Sequence, residues 1–278
     1  MSTLTTSPTD TTGVPGGHAG GVRREREAFA PIPMTRIIAV ELRKMFDTRS
    51  GFWLMASIGI LAVLATGATI LFAPEAEQTY EAFASAIGFP MAVVLPMVAV
   101  LSVTSEWSQR NGLTTFTLVP SRGRVIAAKA VCAVGIGVVS MFVALGIGAL
   151  GNVVGTAISG APTVWDVEVT EFLNIVLGTV LGMAVGFMLG VVIRNSPGAI
   201  VGYFVYSLVL PTVFAMLAAF QEWFRDLQPW VDFNFAQTRL YDADMTGEMW
   251  AQLGVAGLIW LVLPLTVGLV LLQRSEVK

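Results

Sequence analysis

The sequence is short of charge, histidine and cysteine, and each shortage excludes a class of protein. Charged residues make up 13% of the 278 residues, roughly half the share of a typical soluble domain. Cys132 is the only cysteine, which excludes a disulfide framework and a cysteine metal cluster. His18 is the only histidine, and its Thr-, Gly-, Ser- and Pro-rich surroundings favour a solvated loop residue over a ligand.

Sequence motifs for catalysis and nucleotide binding are also absent. The chain has no GxxxxGK[ST] phosphate-binding loop, no GxSxG nucleophile elbow and no acid-rich metal motif. We therefore expect a protein that is not an enzyme and that holds no cofactor or metal of its own. No nucleic-acid partner is expected.

Six long runs almost without charge indicate a helical membrane protein. Each run reaches the roughly 20 apolar residues that a helix needs to cross the hydrocarbon layer. Because backbone polar groups cannot stay unpaired in lipid, the runs are expected to be helices. The predicted fold class is all-α and polytopic, with six transmembrane helices. The predicted spans are Phe52–Ala73, Phe83–Val103, Val125–Gly151, Phe172–Ile193, Ala199–Phe220 and Leu253–Leu272.

The distribution of charge predicts the domain limits and the orientation. Residues 1–30 are expected to be a disordered cytoplasmic tail, and residues 31–278 to be the membrane domain. The terminal regions and the even-numbered connections hold 14 of the 16 Lys and Arg residues, whereas the opposite connections hold 12 of the 19 acids. By the positive-inside rule, both termini are cytoplasmic. We expect a multi-pass protein of a bacterial plasma membrane.

The segment before the first span predicts an amphipathic helix. Met34, Ile38, Leu42 and Met45 recur at helical spacing on one face, with charged residues on the other faces. Such a helix suits the membrane surface, with its basic residues toward anionic headgroups. Two interpretations stay open: a juxtamembrane helix that only fixes topology, or a connecting helix between the membrane and a cytoplasmic partner.

The span interiors combine a stripe of small residues with very little charge. Four glycines of the fourth span recur every four residues, which favours close helix packing within one subunit over a dimer seam. Lys129 is the only Asp, Glu, Lys, Arg or His in the six runs, and it is expected to snorkel to the cytoplasmic end. Ion-coupled carriers generally need buried ionisable groups, although some sodium carriers use broken helices instead. Energy for uphill transport would therefore come from outside the chain. The glycines are Gly178, Gly182, Gly186 and Gly190.

A cytoplasmic loop, residues 104–129, connects the second and third spans. The second span is expected to continue into it as a helix, with Glu106 and Trp107 at its mouth. An Asn-Gly pair at 111–112 then signals a turn. The ordinary alternative for Trp107 is a residue of the interfacial aromatic belt. The prediction is a short helix or hairpin, held at both ends by membrane helices, through which a partner's movement reaches both spans.

This loop resembles the signature loop of type-two ATP-binding cassette (ABC) exporter permeases. The matching residues read SEW…NGLTTFTLVPSRGRVIAAK, and ELRKMFDTRSGFW before the first span is similar to the connecting helix of that family. The resemblance covers about residues 34–278. It implies the membrane-spanning subunit of an ATP-driven exporter with a G-subfamily-like fold. That fold has an N-terminal connecting helix, six spans and a cytoplasmic coupling helix between spans two and three.

The resemblance also implies partners and coupling residues. Such permeases pair with a separate ABC ATPase subunit that binds ATP and Mg²⁺, in complexes of two ATPases and two permeases. A homodimer of permeases in the lipid bilayer is favoured over a heterodimer. The rival functions are a secondary carrier or channel without an ATPase partner, and a membrane scaffold protein. The ATPase-coupling residues would be Glu106, Trp107, Arg110, Gly112, Leu113 and Thr115, together with Glu41, Arg43 and Lys44 of the connecting helix.

The same resemblance places the transport pathway between spans two and five. Lipid-facing or packed positions are the ordinary alternative for its aromatic residues. The last outer loop, Gln221–Gln252, would be a re-entrant lid over the exit, and the alternative is a plain interfacial loop. The candidate lining residues are Phe89, Met97, Tyr203, Phe204 and Tyr206.

Overall fold

The computed structural model describes residues 32–108, 122–242 and 244–274, and this part of the chain is helical without a strand. The predicted tail, residues 1–30, lies outside the described residues. The helices are α1 (Met34–Asp47), α2 (Arg49–Phe72), α3 (Tyr80–Ser108), α4 (Arg122–Ser159), α5 (Val169–Ile193), α6 (Ser196–Phe204), α7 (Leu210–Phe220), α8 (Glu222–Val231), α9 (Phe233–Asp242), α10 (Gly247–Gly257) and α11 (Leu263–Arg274). A 3₁₀ turn (Glu75–Glu77) precedes α3, and two π-helical segments, Val205–Val209 and Leu258–Val262, join α6 to α7 and α10 to α11.

Six helical stretches within the described residues are long and apolar enough to cross a membrane, which confirms the six predicted spans. The largest difference is at the end of span three, where α4 continues to Ser159 instead of ending at Gly151. Two side-chain donors on the extra turns have partners: Asn152 Nδ2 donates to Val164 O at 2.8 Å, and the Thr156 hydroxyl donates to Asn152 O. The spans are Gly51–Phe72, Tyr80–Trp107, Gly123–Ser159, Val169–Ile193, Ser196–Phe220 and Gly247–Arg274.

Helix α1 forms where the amphipathic pattern predicts it, but a neighbouring face makes its closest contacts. Ile37 and Glu41 are its buried residues, and the helix packs against α2 and α4. Leu42, on the predicted apolar face, is 40% exposed. The rest of the predicted apolar face, Met34, Ile38 and Met45, is half-buried, while the side that contains Ile37 and Glu41 is fully buried on the bundle.

Helix α3 lies at the centre of the bundle and contacts α2, α4, α5 and α6. Leu95, Ala99 and Val103 of α3 are fully buried and belong to one apolar cluster with residues of α2, α4, α5 and α11. Spans five and six are far less buried than span two within this one chain. The core of the subunit is therefore built around span two, and spans five and six present apolar surface outward.

In the C-terminal half of α5, the glycine stripe faces α3. A Cβ atom added at Gly186 would lie 2.7 Å from the Pro96 carbonyl oxygen, and one at Gly190 would lie 3.2 Å from the Val100 carbonyl oxygen. Further along, Gly178 faces the Tyr241 ring of α9. The stripe thus brings backbone close to backbone within one subunit.

Both of the last two spans contain a π-helical segment, and in both a proline follows it. Pro211 stands at the start of α7, directly after Val205–Val209, and Pro264 stands at the start of α11, after Leu258–Val262. A proline has no N–H to bond the carbonyl four residues earlier, and single-turn π segments are a common local adjustment inside helices. The regular ladder is therefore interrupted midway along each span.

A very short connection joins spans four and five. Arg194 caps α5 in the left-handed region at φ 55°, and the Asn195 side chain accepts a hydrogen bond from Gly198 N at 2.9 Å to cap α6. The Ser196 hydroxyl donates to the Thr104 hydroxyl of α3 at 2.7 Å. The two spans consequently form a tight hairpin that is fixed against α3.

Candidate functional site

Four charged side chains from three helices form an ion network at the end of the bundle where α1 lies. Glu41 and Lys44 come from α1, Glu106 from the end of α3 and Lys129 from the start of α4. The Lys129 ammonium lies 2.5 Å from Glu41 Oε2 and 3.0 Å from Glu106 Oε1. The Lys44 ammonium lies 2.8 Å from Glu41 Oε1 and 3.3 Å from Glu106 Oε1. Each ammonium group therefore bridges both carboxylates.

Three members of the ion network are almost completely buried. The side chains of Lys129, Glu41 and Glu106 are only 4%, 5% and 3% exposed, whereas that of Lys44 is 41% exposed. A single ion in such surroundings costs several kcal/mol, so two cations with two carboxylates form a far more stable arrangement. Among the described residues, the network balances two cations with two carboxylates, and its accessible member is a cation.

The burial of Lys129 corrects the prediction that this residue snorkels to the membrane end. Its ammonium group turns inward to the carboxylates of α1 and α3 instead of reaching outward. The physical reason is that two carboxylates lie within direct hydrogen-bonding distance, so burial leaves no unpaired charge.

Local geometry holds α1 in the position that the network requires. Glu41 and Lys44 are three residues apart and thus share one helix face. The Arg124 guanidinium of α4 donates to the Ile32 carbonyl oxygen just before α1. The start of α1 and its middle are therefore both attached to the start of α4.

Lys44 stays charged because of its partners. Burial alone would lower the pKa of Lys44, but the hydrogen bond and charge of Glu41, together with Glu106, outweigh it and raise that pKa above its usual value. A raised folded-state pKa stabilises the fold at any pH below the ordinary lysine value. This contribution is lost only as the pH rises through the raised pKa, so we expect it to be constant across the physiological range.

A cavity of about 290 Å³ opens beside the ion network, between α1, α2, α3 and α4. Its polar end is formed by the network and by hydroxyl-bearing residues of α3. Its other walls are apolar. The lining includes Lys44, Met45, Thr48, Leu54, Met55, Val98, Leu101 and Ser102.

The predicted coupling residues fall into three groups. Glu41, Lys44 and Glu106 meet in the ion network. Trp107 is half-buried and packs against the apolar cluster around α3, and Arg43 is exposed and lies 4.0 Å from Asp47. The sequence predicts Lys129 only as a snorkelling residue, whereas in the structure it is the buried cation that contacts both carboxylates of the ion network. Arg110, Gly112, Leu113 and Thr115 lie outside the described residues.

The five candidate pathway residues are placed in different surroundings. Tyr203 and Tyr206 are buried in a second apolar cluster, and Met97 packs against it. Phe204 is 37% exposed and Phe89 is 80% exposed. Met97 and the two tyrosines are thus brought together, whereas the two phenylalanines lie outside that cluster.

The buried Tyr206 hydroxyl gives a stability prediction. It has no hydrogen-bond partner among the residues that the structure describes, whereas the Tyr203 hydroxyl donates to Ala92 O at 3.2 Å. Losing a paired buried hydroxyl costs about 1 kcal/mol, while losing an unpaired one does not. We expect Tyr203→Phe to lower the free energy of unfolding by about this amount, and Tyr206→Phe to leave it unchanged or raise it. Denaturant titration in detergent micelles measures both, and an equal loss in the two variants would contradict the assignment.

The segment between spans five and six, which is predicted to be an outer loop, is folded into helices α8 and α9. Phe233 and Leu240 of α9 are buried, and α9 packs against spans four and six. Gln237 Nε2 donates to the Gly178 carbonyl oxygen of span four at 2.6 Å. Trp260 Nε1 of span six donates to Val231 O at 2.7 Å. The segment is therefore attached to spans four and six, in the half of the bundle away from the ion network.

The fold and the site together define a helical chain with six stretches suited to crossing a membrane and a buried ion network at one end. A scan against protein-family models finds no match for this chain. A search of curated proteins finds no match either.

Proposed function

We propose that the chain is the membrane subunit of an ATP-driven ABC exporter, in which the ion network couples a separate ATPase subunit to the spans. One observation carries the proposal. Glu41 and Lys44 of the predicted connecting helix are paired directly with Glu106 and Lys129. These last two belong to the helices on either side of residues 109–121, where the predicted coupling helix lies.

The network offers a mechanical route between these elements. A displacement of residues 109–121 acts on the end of α3 and on the start of α4, which carry Glu106 and Lys129. Because Glu106 is paired with Lys44 of α1 and Lys129 with Glu41 of α1, α1 is drawn along. Ion pairs in apolar surroundings are strong and directional, so the three helix ends are expected to move as one body.

In this proposal the energy and the pathway come from the assembled complex. Two partner ATPases bind ATP and Mg²⁺, and their closure moves two permease chains between inward- and outward-facing arrangements as rigid bodies. The second permease covers the outward apolar surfaces of spans five and six, which are exposed in the single chain. Helices α8 and α9 serve as a lid at the outer end, supported by their attachment to spans four, five and six.

The first test replaces Glu106 by glutamine in the complex of this chain with its ATPase. The amide keeps the shape but loses the charge that both lysines share. We expect the complex to remain assembled in the membrane while substrate transported per ATP hydrolysed falls about 5–150-fold, the usual range of a coupling free energy. Transport and ATP hydrolysis are measured together in proteoliposomes.

The test has a matched control variant, and other outcomes of it would favour the rival functions. Glu75→Gln removes an exposed acid far from the network and should leave coupling unchanged. Unaltered coupling in Glu106→Gln, and also in a variant with a bulky residue at Gly112, would refute the coupling assignment. Transport by the purified chain without nucleotide would replace the proposal by a secondary carrier or channel. A stable protein with neither a partner ATPase nor transport would favour a scaffold.

A further inference from the structure

Helix α1 carries a second concave surface that adjoins the cavity beside the ion network. A groove of about 430 Å³ runs along α1 and is lined by Arg36, Ala39, Val40, Arg43, Lys44, Asp47 and Thr48. Lys44 and Thr48 line both the groove and the cavity. The two spaces therefore share a rim at these residues.

The groove and the cavity both contain apolar surface but differ in their charged residues. Three cations and one acid line the groove, which leaves it with a net positive charge. The acid, Asp47, lies 4.0 Å from Arg43 in a pair that is 82% and 70% exposed, and such an exposed pair binds weakly. The cavity walls beyond the ion network include Met45, Leu54 and Leu101.

The accessible charge at the shared rim is positive. The Glu41 and Glu106 side chains are almost completely buried under the lysines, while the Lys44 side chain is 41% exposed. A ligand that enters the cavity from the rim meets the Lys44 ammonium group before the buried carboxylates of Glu41 and Glu106. Anionic groups are therefore attracted there, and cationic groups are not.

The pairing of a basic groove with an apolar cavity matches an amphiphile with an anionic head. We propose that one anionic phospholipid, from the leaflet on the α1 side, binds here as a resident ligand. Its phosphate lies in the groove against Arg36, Arg43 and Lys44, and one acyl chain enters the cavity toward Leu101. This binding is independent of the proposed transport function, because it depends only on the two surfaces.

The site adjoins the ion network, so an acyl chain in the cavity occupies the space between α1 and α3. A lipid chain there contacts both helices and reinforces the packing of α1 against α3 that the ion network provides. In the predicted orientation, the lipid belongs to the cytoplasmic leaflet, where anionic lipids attract basic segments.

Native mass spectrometry of the delipidated full-length chain tests the proposal. The probes are phosphatidylglycerol, phosphatidylcholine with the same acyl chains, and glycerol 3-phosphate. We expect one phosphatidylglycerol to bind about tenfold or more tightly than phosphatidylcholine, because three cations face the phosphate. Glycerol 3-phosphate should not bind, since it has no chain to bury. Equal binding of the two lipids, or binding of glycerol 3-phosphate as strong as that of the lipid, would overturn the proposal.

Substitutions on α3 separate a lipid in the cavity from general attraction of α1 to an anionic surface. Leu101→Trp fills the cavity and should lower phosphatidylglycerol binding about tenfold or more, whereas Val93→Trp, at an exposed position of the same helix, should not. Leu101→Phe serves if the larger residue prevents folding. Arg36→Gln with Arg43→Gln should remove the preference for the anionic head. Unchanged binding in the folded Leu101 variant would show that the cavity does not hold the chain.

Discussion

Lys129→Met is expected to lower the free energy of unfolding by about 3–5 kcal/mol, the usual cost of removing one partner from a buried ion pair. The substitution keeps much of the apolar stem but removes the buried ammonium that joins Glu41 to Glu106. Lys44 is half-exposed and cannot replace the buried ammonium between the two carboxylates. Denaturant titration of the purified protein in detergent micelles, followed by loss of helical circular dichroism, measures the change.

Two further variants distinguish the ion network from a general effect of removing charge. Lys129→Met combined with Glu41→Gln removes both ends of the 2.5 Å contact and leaves the Lys44–Glu106 pair, so it should regain much of the lost stability. Arg43→Gln removes one end of the exposed pair with Asp47 and should change stability by less than about 1 kcal/mol. If Lys129→Met were as stable as the parent protein, the network would not be a structural element of the folded chain.

The second large effect is expected from a single methyl group on the glycine stripe. A Cβ at Gly186 would lie 2.7 Å from the Pro96 carbonyl oxygen, whereas one at Gly182 meets nothing closer than 3.6 Å. Gly186→Ala must therefore push α5 and α3 apart, at about 1–3 kcal/mol for overpacking. Gly182→Ala fits its space and gains up to about 1 kcal/mol from the better helix propensity of alanine.

The opposite signs of these two variants make the comparison decisive. Both glycines lie on one face of one helix, so changes in the unfolded chain are the same for both. Unfolding titrations under the conditions used for Lys129→Met measure the two free energies side by side. Equal stability of Gly186→Ala and Gly182→Ala would contradict the close backbone contact between α3 and α5.

The membrane fold could be predicted from this one sequence because apolar length is a local property. The six runs and the amphipathic segment each carry their signal within about 20 residues. The end of α4 was missed because its polar Asn152 and Thr156 are paired by groups that folding brings close. A sequence pattern shows the polarity of a residue but not its partner.

The ion network could be predicted only in part for the same reason. Glu41 and Lys129 are 88 positions apart, and nothing in their local sequence indicates that they meet. The aromatic residues show the same limit, since Phe89 and Tyr203 both stand in apolar runs but are 80% and 6% exposed. Their role in a pathway, like the role of the network in coupling, stays a prediction until transport is measured.

The short connection at Arg194 and Asn195 has a consequence for how the chain is made. Two residues are too few for spans four and five to enter a bilayer independently and find each other afterward. They are expected to insert together as a preformed hairpin, because contacts between neighbours in sequence form fastest. The Ser196–Thr104 hydrogen bond would then form when that hairpin docks onto span two, which is synthesised earlier. Biogenesis of this protein would thus proceed by addition of helix pairs.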